Sequence, residues 1–326
     1  MSIFLNILLL IIGFVGLIKG ADFFVDGSSA LARIFKVPGV IIGLTIVAMG
    51  TSAPELAVST SAAIQGANEI ALSNVVGSNI FNLLGVLGVC ALICPIPVEK
   101  TIIKRDFPFS ILITVGLFIV TGIKLFSGFD FLNTGMLENI GMISRPVGIA
   151  LLIIFAGYIG TLIYLARRNK VTEDDSGKNM PVWKCLLLIV VGLACIIIGG
   201  QLVVENAKGI AAALGMSETL IGLTIVAIGT SLPELVTSIV AARKGENGLA
   251  VGNVVGSNIF NILFILGVSA TIHPIAVNYA SVIDLLILVV VSIVTYVFSL
   301  TKKISRIEGA VMILMYAATT VFAIVR

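Results

Sequence analysis

Long apolar runs, separated by short charged clusters, make up almost the whole chain. A membrane-spanning helix needs about 20 mostly apolar residues. Reading between the charge clusters predicts ten such spans: 3–21, 37–64, 70–93, 107–126, 147–166, 182–204, 216–242, 248–272, 280–300 and 307–325. The first lacks a basic n-region and an A-x-A cleavage site, so it reads as a retained helix and not a signal peptide. The longest polar stretch, 167–181, holds Arg167, Arg168, Lys170, Glu173, Asp174, Asp175 and Lys178. It reads as a cytoplasmic linker between two five-helix halves, 1–166 and 182–326.

Lys and Arg placement sets the expected orientation. Fifteen of them, from Arg33 to Arg306, fall in one set of alternating loops, and only Lys124, Arg145, Lys208 and Arg326 in the other. Both chain termini are therefore expected outside the cytoplasm. A missed span would scramble this alternation, so the bias also supports the span count.

Residues 42–89 align with 221–268 at a constant offset of 179 without a gap, with 32 identities in 48 positions. IGLTIVAMGTSAPEL (42–56) answers IGLTIVAIGTSLPEL (221–235), and NVVGSNIFN recurs at 74–82 and 253–261. Shared apolar composition cannot place the same Thr, Ser, Pro, Glu and Asn residues in both copies. The repeated motif regions are taken as 39–89 and 218–268. Five predicted spans separate the copies, so they enter the membrane from opposite sides. The expected fold is an all-α polytopic membrane protein of ten transmembrane helices in two five-helix repeats of inverted topology, an arrangement many secondary transporters use for alternating access.

Composition narrows the function classes. Of 326 residues 58% are hydrophobic and 11% charged, against about 25% charged in soluble domains; a soluble enzyme, a disordered chain and a disulfide scaffold are excluded. The net charge of +3 comes without a basic stripe, so no nucleic-acid partner is expected. Cys90, Cys94, Cys185 and Cys195 sit in or beside apolar stretches and read as core thiols, with no disulfide or metal inferred. An intramembrane enzyme would need a Ser with a His partner or two catalytic Asp residues, and neither constellation is present.

Of 17 acidic residues, only Glu55 and Glu234 lie deep inside long apolar segments, with no Lys or Arg in either motif. Each falls about 7 Å past the midplane of its span, from opposite directions. A buried unpaired carboxylate costs several kcal/mol, roughly, so it must be protonated or bind a cation. Their surroundings supply oxygen: the hydroxyls of Thr51, Ser52, Thr230 and Ser231, and the carbonyls of Gly50 and Gly229 that Pro54 and Pro233 release from helix bonding. Asn74, Ser78 and Asn82 form a stripe at i, i+4, i+8, repeated by Asn253, Ser257 and Asn261, with Asn79 and Asn258 at the flank. Ser78, Asn82, Ser257 and Asn261 are expected to line a site; Asn74 and Asn253 read equally well as interhelical hydrogen bonders. Oxygen ligands with two carboxylates and no His or Cys suit a hard cation, calcium better than magnesium, and sodium is close to calcium in size.

At these residues the chain resembles the cation/calcium exchanger superfamily, specifically the prokaryotic sodium/calcium exchangers, whose two alpha-repeats carry G-T-S-x-P-E and G-S-N-x-x-N/D motifs. The resemblance implies calcium held by Glu55 and Glu234 with the backbone of Thr51 and Thr230. It implies sodium sites from Ala48, Ser52, Ser78, Ala227, Thr230, Ser231, Ser257 and both glutamates, with Asn82 and Asn261 completing the core. It further implies that the first and sixth helices slide across the other eight, and that calcium is extruded against sodium entry. Several relatives carry Asp where this chain has Asn261, which argues against potassium co-transport. Three sodium ions against two carboxylates would make exchange electrogenic. The alternative is proton/calcium antiport, but proton-coupled relatives carry His near the glutamate, whereas Leu56 and Leu235 follow here and the only His, His273, lies at a span end. No cofactor is expected. The expected partners are the lipid bilayer and the transported calcium and sodium ions, with the chain working as a monomer in the inner (plasma) membrane.

Overall fold

The computed structural model describes residues 3–66, 68–122, 135–168, 180–216 and 227–325. The helices are α1 (Ile3–Phe35), α2 (Gly39–Thr51), α3 (Ala53–Ile64), α4 (Glu69–Ile93), α5 (Phe107–Thr121), α6 (Arg145–Arg168), α7 (Val182–Ala213), α8 (Ala227–Gly229), α9 (Leu232–Arg243), α10 (Asn247–Ile272), α11 (Tyr279–Ser299) and α12 (Arg306–Val325). Among the described residues, seven are long and apolar enough to cross a membrane; the pair α2–α3, bent by 50° at Ser52, makes an eighth. The predicted span 107–126 is shifted toward the N-terminus as observed: a π-helical turn, Ile102–Asp106, leads into α5, which ends at Thr121. The start of the predicted span 216–242, and most of the 167–181 linker, lie outside the described residues.

The first and sixth spans are longer than the sequence reading. Polar residues do not end them. α1 runs past Asp22 and Asp26 to Phe35, and α7 runs past Glu205 to Ala213. What stops each is a left-handed residue one or two positions beyond. Lys36 has φ +53° and Gly215 φ +84°, and Val37 N donates to Ala32 O and Met216 N to Ala211 O, each across five residues as in a Schellman cap. At 33 and 32 residues, each is about 50 Å long, well over the roughly 30 Å hydrocarbon layer. Asp22 and Asp26, which the sequence sets in loops or at span ends, sit on α1 and pair with Lys244 Nζ at 3.2 and 2.8 Å.

α1 and α7 pack against each other through glycines seven residues apart. A Cβ on Gly20 would lie 2.8 Å from Gly192 O, and one on Gly199 would lie 2.8 Å from Gly13 O. Only glycine permits backbones this close, the small-residue device of membrane helix packing.

α10 and α4 form the centre of the remaining bundle. In α10, 94% of the most apolar stretch is buried, in α4 78%, and in peripheral α12 only 11%. Two short antiparallel ribbons tie the ends of helices together: β1 (Ile96–Pro97) with β4 (Lys303–Ile304), and β2 (Asn139–Ile143) with β3 (Ile275–Asn278). Of the stretch 127–146, which the sequence leaves unassigned as a loop or a short interfacial helix, residues 127–134 lie outside the described residues and Asn139–Ile143 form β2.

A third buried carboxylate joins the two read from the sequence. Asp106 is fully buried. Arg105 Nε and Nη2 donate to its two oxygens at 2.8 and 2.9 Å, and Tyr158 OH donates to Oδ1 at 3.1 Å. This fork-shaped pairing neutralises it, so unlike Glu55 and Glu234 it calls for no cation from outside.

Candidate cation site

Each G-T-S-x-P-E segment breaks a helix and restarts it. Ser52 (φ −83°, ψ 12°) and Ser231 (φ −94°, ψ 9°) stand at the breaks, and Pro54 and Pro233 lie in the first turn of the new helices α3 and α9. Pro is favoured there, since the N–H it lacks has no intrahelical partner anyway. Glu55 and Glu234 fall in those same first turns. A helix N-terminus favours negative charge, so each carboxylate has the positive end of its own helix beside it where the sequence supplies no Lys or Arg.

The two segments meet, and their bonds are reciprocal at the 179-residue offset. Ser52 Oγ donates to Glu234 Oε1 at 2.7 Å, and Ser231 Oγ donates to Glu55 Oε1 at 3.0 Å. Ser78 Oγ lies 3.4 Å from Glu55 Oε1 and 3.0 Å from Ser231 Oγ. Glu55, Glu234, Ser52, Ser231, Asn82 and Asn261 are all 0% exposed. Two carboxylates from distant parts of the chain thus share one buried cluster of oxygens.

The second motifs close the cluster from α4 and α10. Both helices widen into π turns here, Phe81–Val86 and Asn261–Ile265, with Asn82 and Asn261 at their starts; such turns recur at functional sites. Asn82 Nδ2 donates to Asn258 Oδ1 at 3.3 Å, and Asn261 Nδ2 to Asn79 Oδ1 at 2.9 Å. Asn79 and Asn258, which the sequence reading sets at the flank, pin the two copies together: each Nδ2 donates to the other's backbone carbonyl at 3.3 Å. The signal for this was their identical place in both copies, which puts them where the two motifs face each other.

Other candidates fall into two groups. The Ala48 carbonyl lies 3.4 Å from Thr51 Oγ1 and 3.5 Å from Ser257 Oγ. Thr230 is partly buried. Ala227 opens α8, and its side chain lies outside the description. Asn74 and Asn253 take the hydrogen-bonding alternative: Asn74 Nδ2 donates to Ser59 Oγ and Asn253 Nδ2 to Ser238 Oγ, both at 3.0 Å, while Thr51 Oγ1 donates to Asn253 Oδ1 at 3.0 Å. Ser59 and Ser238, unremarked in the sequence, are the buried partners of these pins.

The decisive feature is what stays unpaired. Glu55 Oε2, Glu234 Oε2, Asn82 Oδ1 and Asn261 Oδ1 are buried and receive no hydrogen bond from the described residues. All four are acceptors. A buried acceptor without a donor costs about 1–3 kcal/mol, more when charged, and a bound cation is one partner able to relieve that cost for oxygens of this kind. Among the described residues no three His, Cys, Asp or Glu side chains cluster, so the donor set is mixed carboxylate, amide, hydroxyl and carbonyl oxygen, suited to a hard ion.

A multi-pass helical membrane protein with a buried oxygen-only site on two broken helices belongs to the class that handles metal cations. Comparison with known proteins narrows it. Residues 5–164 and 184–325 match the sodium/calcium exchanger protein family, and the chain belongs to that family. It is 36% identical over 355 residues to the sodium/calcium exchanger MaX1 of Methanosarcina acetivorans, covering 96% of this chain and 97% of that one. It is 37% identical over 280 residues to the inner membrane protein YrbG of Escherichia coli strain K12, covering 82% and 79%. Its fold matches the solved sodium-calcium exchanger NCX_Mj with a TM-score of 0.81 at 32% identity over the full length of both chains. The chain is thus a cation/calcium antiporter by family.

Proposed function

We propose that this chain exchanges sodium for calcium by alternating access, with Glu55 and Glu234 as the shared ligands of both ions. The four unpaired acceptors carry the reading: two of them are carboxylate oxygens, and two negative charges match one divalent ion. Calcium takes the carboxylates with backbone oxygen from the breaks at Thr51 and Thr230. Sodium ions use the same carboxylates with the hydroxyls of Ser52, Ser78, Ser231 and Ser257 and carbonyls at Ala48 and Ala227. Occupancy by one kind of ion excludes the other, and a site holding neither leaves two bare carboxylates in hydrocarbon, which disfavours crossing empty.

The reciprocal bonds between equivalent positions, Ser52 to Glu234 and Ser231 to Glu55, support two inverted halves. So does the strand pairing, which joins loops that the span count places on the same face: β1 with β4 inside and β2 with β3 outside. On that reading there are ten spans, 1–166 and 182–326 are the two repeats, and both termini are extracytoplasmic. Calcium leaves the cell as sodium enters, three sodium ions per calcium carry net charge, and Asn261 in place of an acid makes the exchange potassium-independent. His273 is exposed beyond α10, away from the glutamates, which favours sodium over protons as the counter-ion.

Purified protein in sealed vesicles tests this. Calcium uptake driven by an outward sodium gradient, with the pH gradient collapsed by an ionophore, is the expected result. Uptake that needs a pH gradient and ignores sodium would overturn it.

A further inference from the structure

The two halves share a turn but not its charges. Gly66 after α3 (φ +75°) and Gly245 after α9 (φ +80°) stand at equivalent positions, and both turn the chain through a left-handed residue. The sequence neighbours of Gly245 are Lys244 and Glu246; those of Gly66 are Gln65 and Ala67, both uncharged. The long helix alongside differs in the same way: Asp22, Asp26 and Arg33 on α1 answer to Gln201, Glu205 and Ala212 on α7. α9 runs from Glu234 in the cation site to this turn and packs against α1. A crevice opened between α9 and α1 would therefore lead from the site to water.

The charges close that crevice. Lys244 Nζ lies 3.2 Å from Asp22 Oδ1 and 2.8 Å from Asp26 Oδ1, and it donates to the Asp22 carbonyl at 3.2 Å. All three ammonium protons thus have acceptors on α1. Arg33 Nη1 adds a fourth contact, 3.5 Å from Glu246 Oε1. At the equivalent end of the other half, Glu205 pairs with Lys208 on its own helix at 2.8 Å, and among the described residues no ion pair joins α7 to α3. Burial follows the charges. Ser29, Ala30 and Leu31 on α1 are buried, whereas Lys208, Gly209 and Ile210 at the equivalent places on α7 are half-buried. Ala30, Leu31 and Ala32 share one apolar cluster with Ala241 and Ala242 of α9.

We infer that Lys244 is a positioning residue that latches α1 to α9 and makes the two sides of the exchanger unequal. Two inverted halves of equal strength leave the inward-open and outward-open forms close in energy. A latch at one end favours the form in which that end is shut. The Lys and Arg bias of the loops puts this end at the cytoplasmic face, so the latch holds the cytoplasmic side closed. The inference rests on alternating access as proposed above. Opening along α9 breaks the contacts of Lys244, while opening along α3 breaks no ion pair among the described residues. A face whose open form is less populated shows a proportionally weaker apparent affinity.

Two readouts on the full chain test the latch. Hydrogen–deuterium exchange of the purified protein, followed peptide by peptide, requires no transport. Lys244→Gln is expected to speed exchange about threefold along 22–32 and 236–243, the effect of losing partly exposed ion pairs, and to leave 201–211 no faster. In vesicles sorted by orientation, the same variant is expected to lower the cytoplasmic KM for calcium and raise the extracellular one, changing their ratio about threefold. Lys244→Arg is expected to keep the wild-type ratio. Adding Asp22→Asn and Asp26→Asn to Lys244→Gln changes it no further, because the acids act through Lys244. Glu205→Gln, whose partner lies on its own helix, leaves the ratio alone. Equal KM changes at both faces, or faster deuterium exchange along the whole chain, would reduce Lys244 to a structural contact and overturn the latch. Calcium flux indifferent to sodium, with the deuterium pattern as expected, would sustain the latch and count against sodium exchange instead.

Discussion

Replacing Glu55 or Glu234 with Gln is expected to lower sodium-driven calcium flux by about a hundredfold or more while the protein stays folded. Gln keeps a side-chain oxygen for the Ser231 or Ser52 hydroxyl that now bonds Oε1, so the crossed contacts between the two motifs survive. What is lost is one of two negative charges facing the ion in a fully buried site. Breaking a buried charge pairing costs about 3–5 kcal/mol, which corresponds to roughly 10² to 5 × 10³ in binding. Vesicle flux measures the loss, and gel-filtration profile and thermal unfolding check the fold. Wild-type flux in either variant would remove that residue from the site. Because the bonds are reciprocal, the two variants are expected to be comparably inactive.

The second large effect falls on the α1–α7 contact. Gly20→Leu and Gly192→Leu are each expected to lower thermal stability strongly and abolish flux. A Cβ on Gly20 would stand 2.8 Å from both Gly192 O and Ile196 N, and one on Gly192 would stand 2.6 Å from Phe24 N. These are backbone atoms and cannot swing aside, so the helices must separate along a contact that runs most of their length. Overpacking of this kind costs about 1–3 kcal/mol and sometimes more. Gly16→Ala is the control: its Cβ would meet Gly199 Cα at 3.6 Å, an ordinary contact, and near wild-type stability is expected. A melting temperature unchanged by Gly20→Leu would contradict the packing described.

The sequence and the fold agree most closely where the chain repeats itself. Polar residues that recur at one offset inside apolar helices need a shared reason, and the crossed bonds of Ser52, Glu55, Ser231 and Glu234 supply it. Apolar runs locate the helices but not where they stop. α1 and α7 run on because a polar residue on a long helix finds its own partner, as Asp22 and Asp26 do in Lys244, and because left-handed caps end them. Asp106 escaped notice because its neutralising partner is the adjacent Arg105, and two neighbouring charges read from sequence as a solvated loop. The β2–β3 pairing joins residues more than 130 positions apart, and no local pattern announces it. The roles of Asn79 and Asn258 depend on how two helices face each other, which one-dimensional periodicity does not carry. The stretch 217–226, where the second motif region begins, lies outside the described residues.

Anomalous diffraction from crystals soaked in calcium tests the central claim most directly. The account predicts one calcium peak with carboxylate oxygens of both Glu55 and Glu234 at about 2.3–2.6 Å, displaced when sodium is raised. Calcium bound elsewhere in the molecule, or touching neither carboxylate, would contradict it.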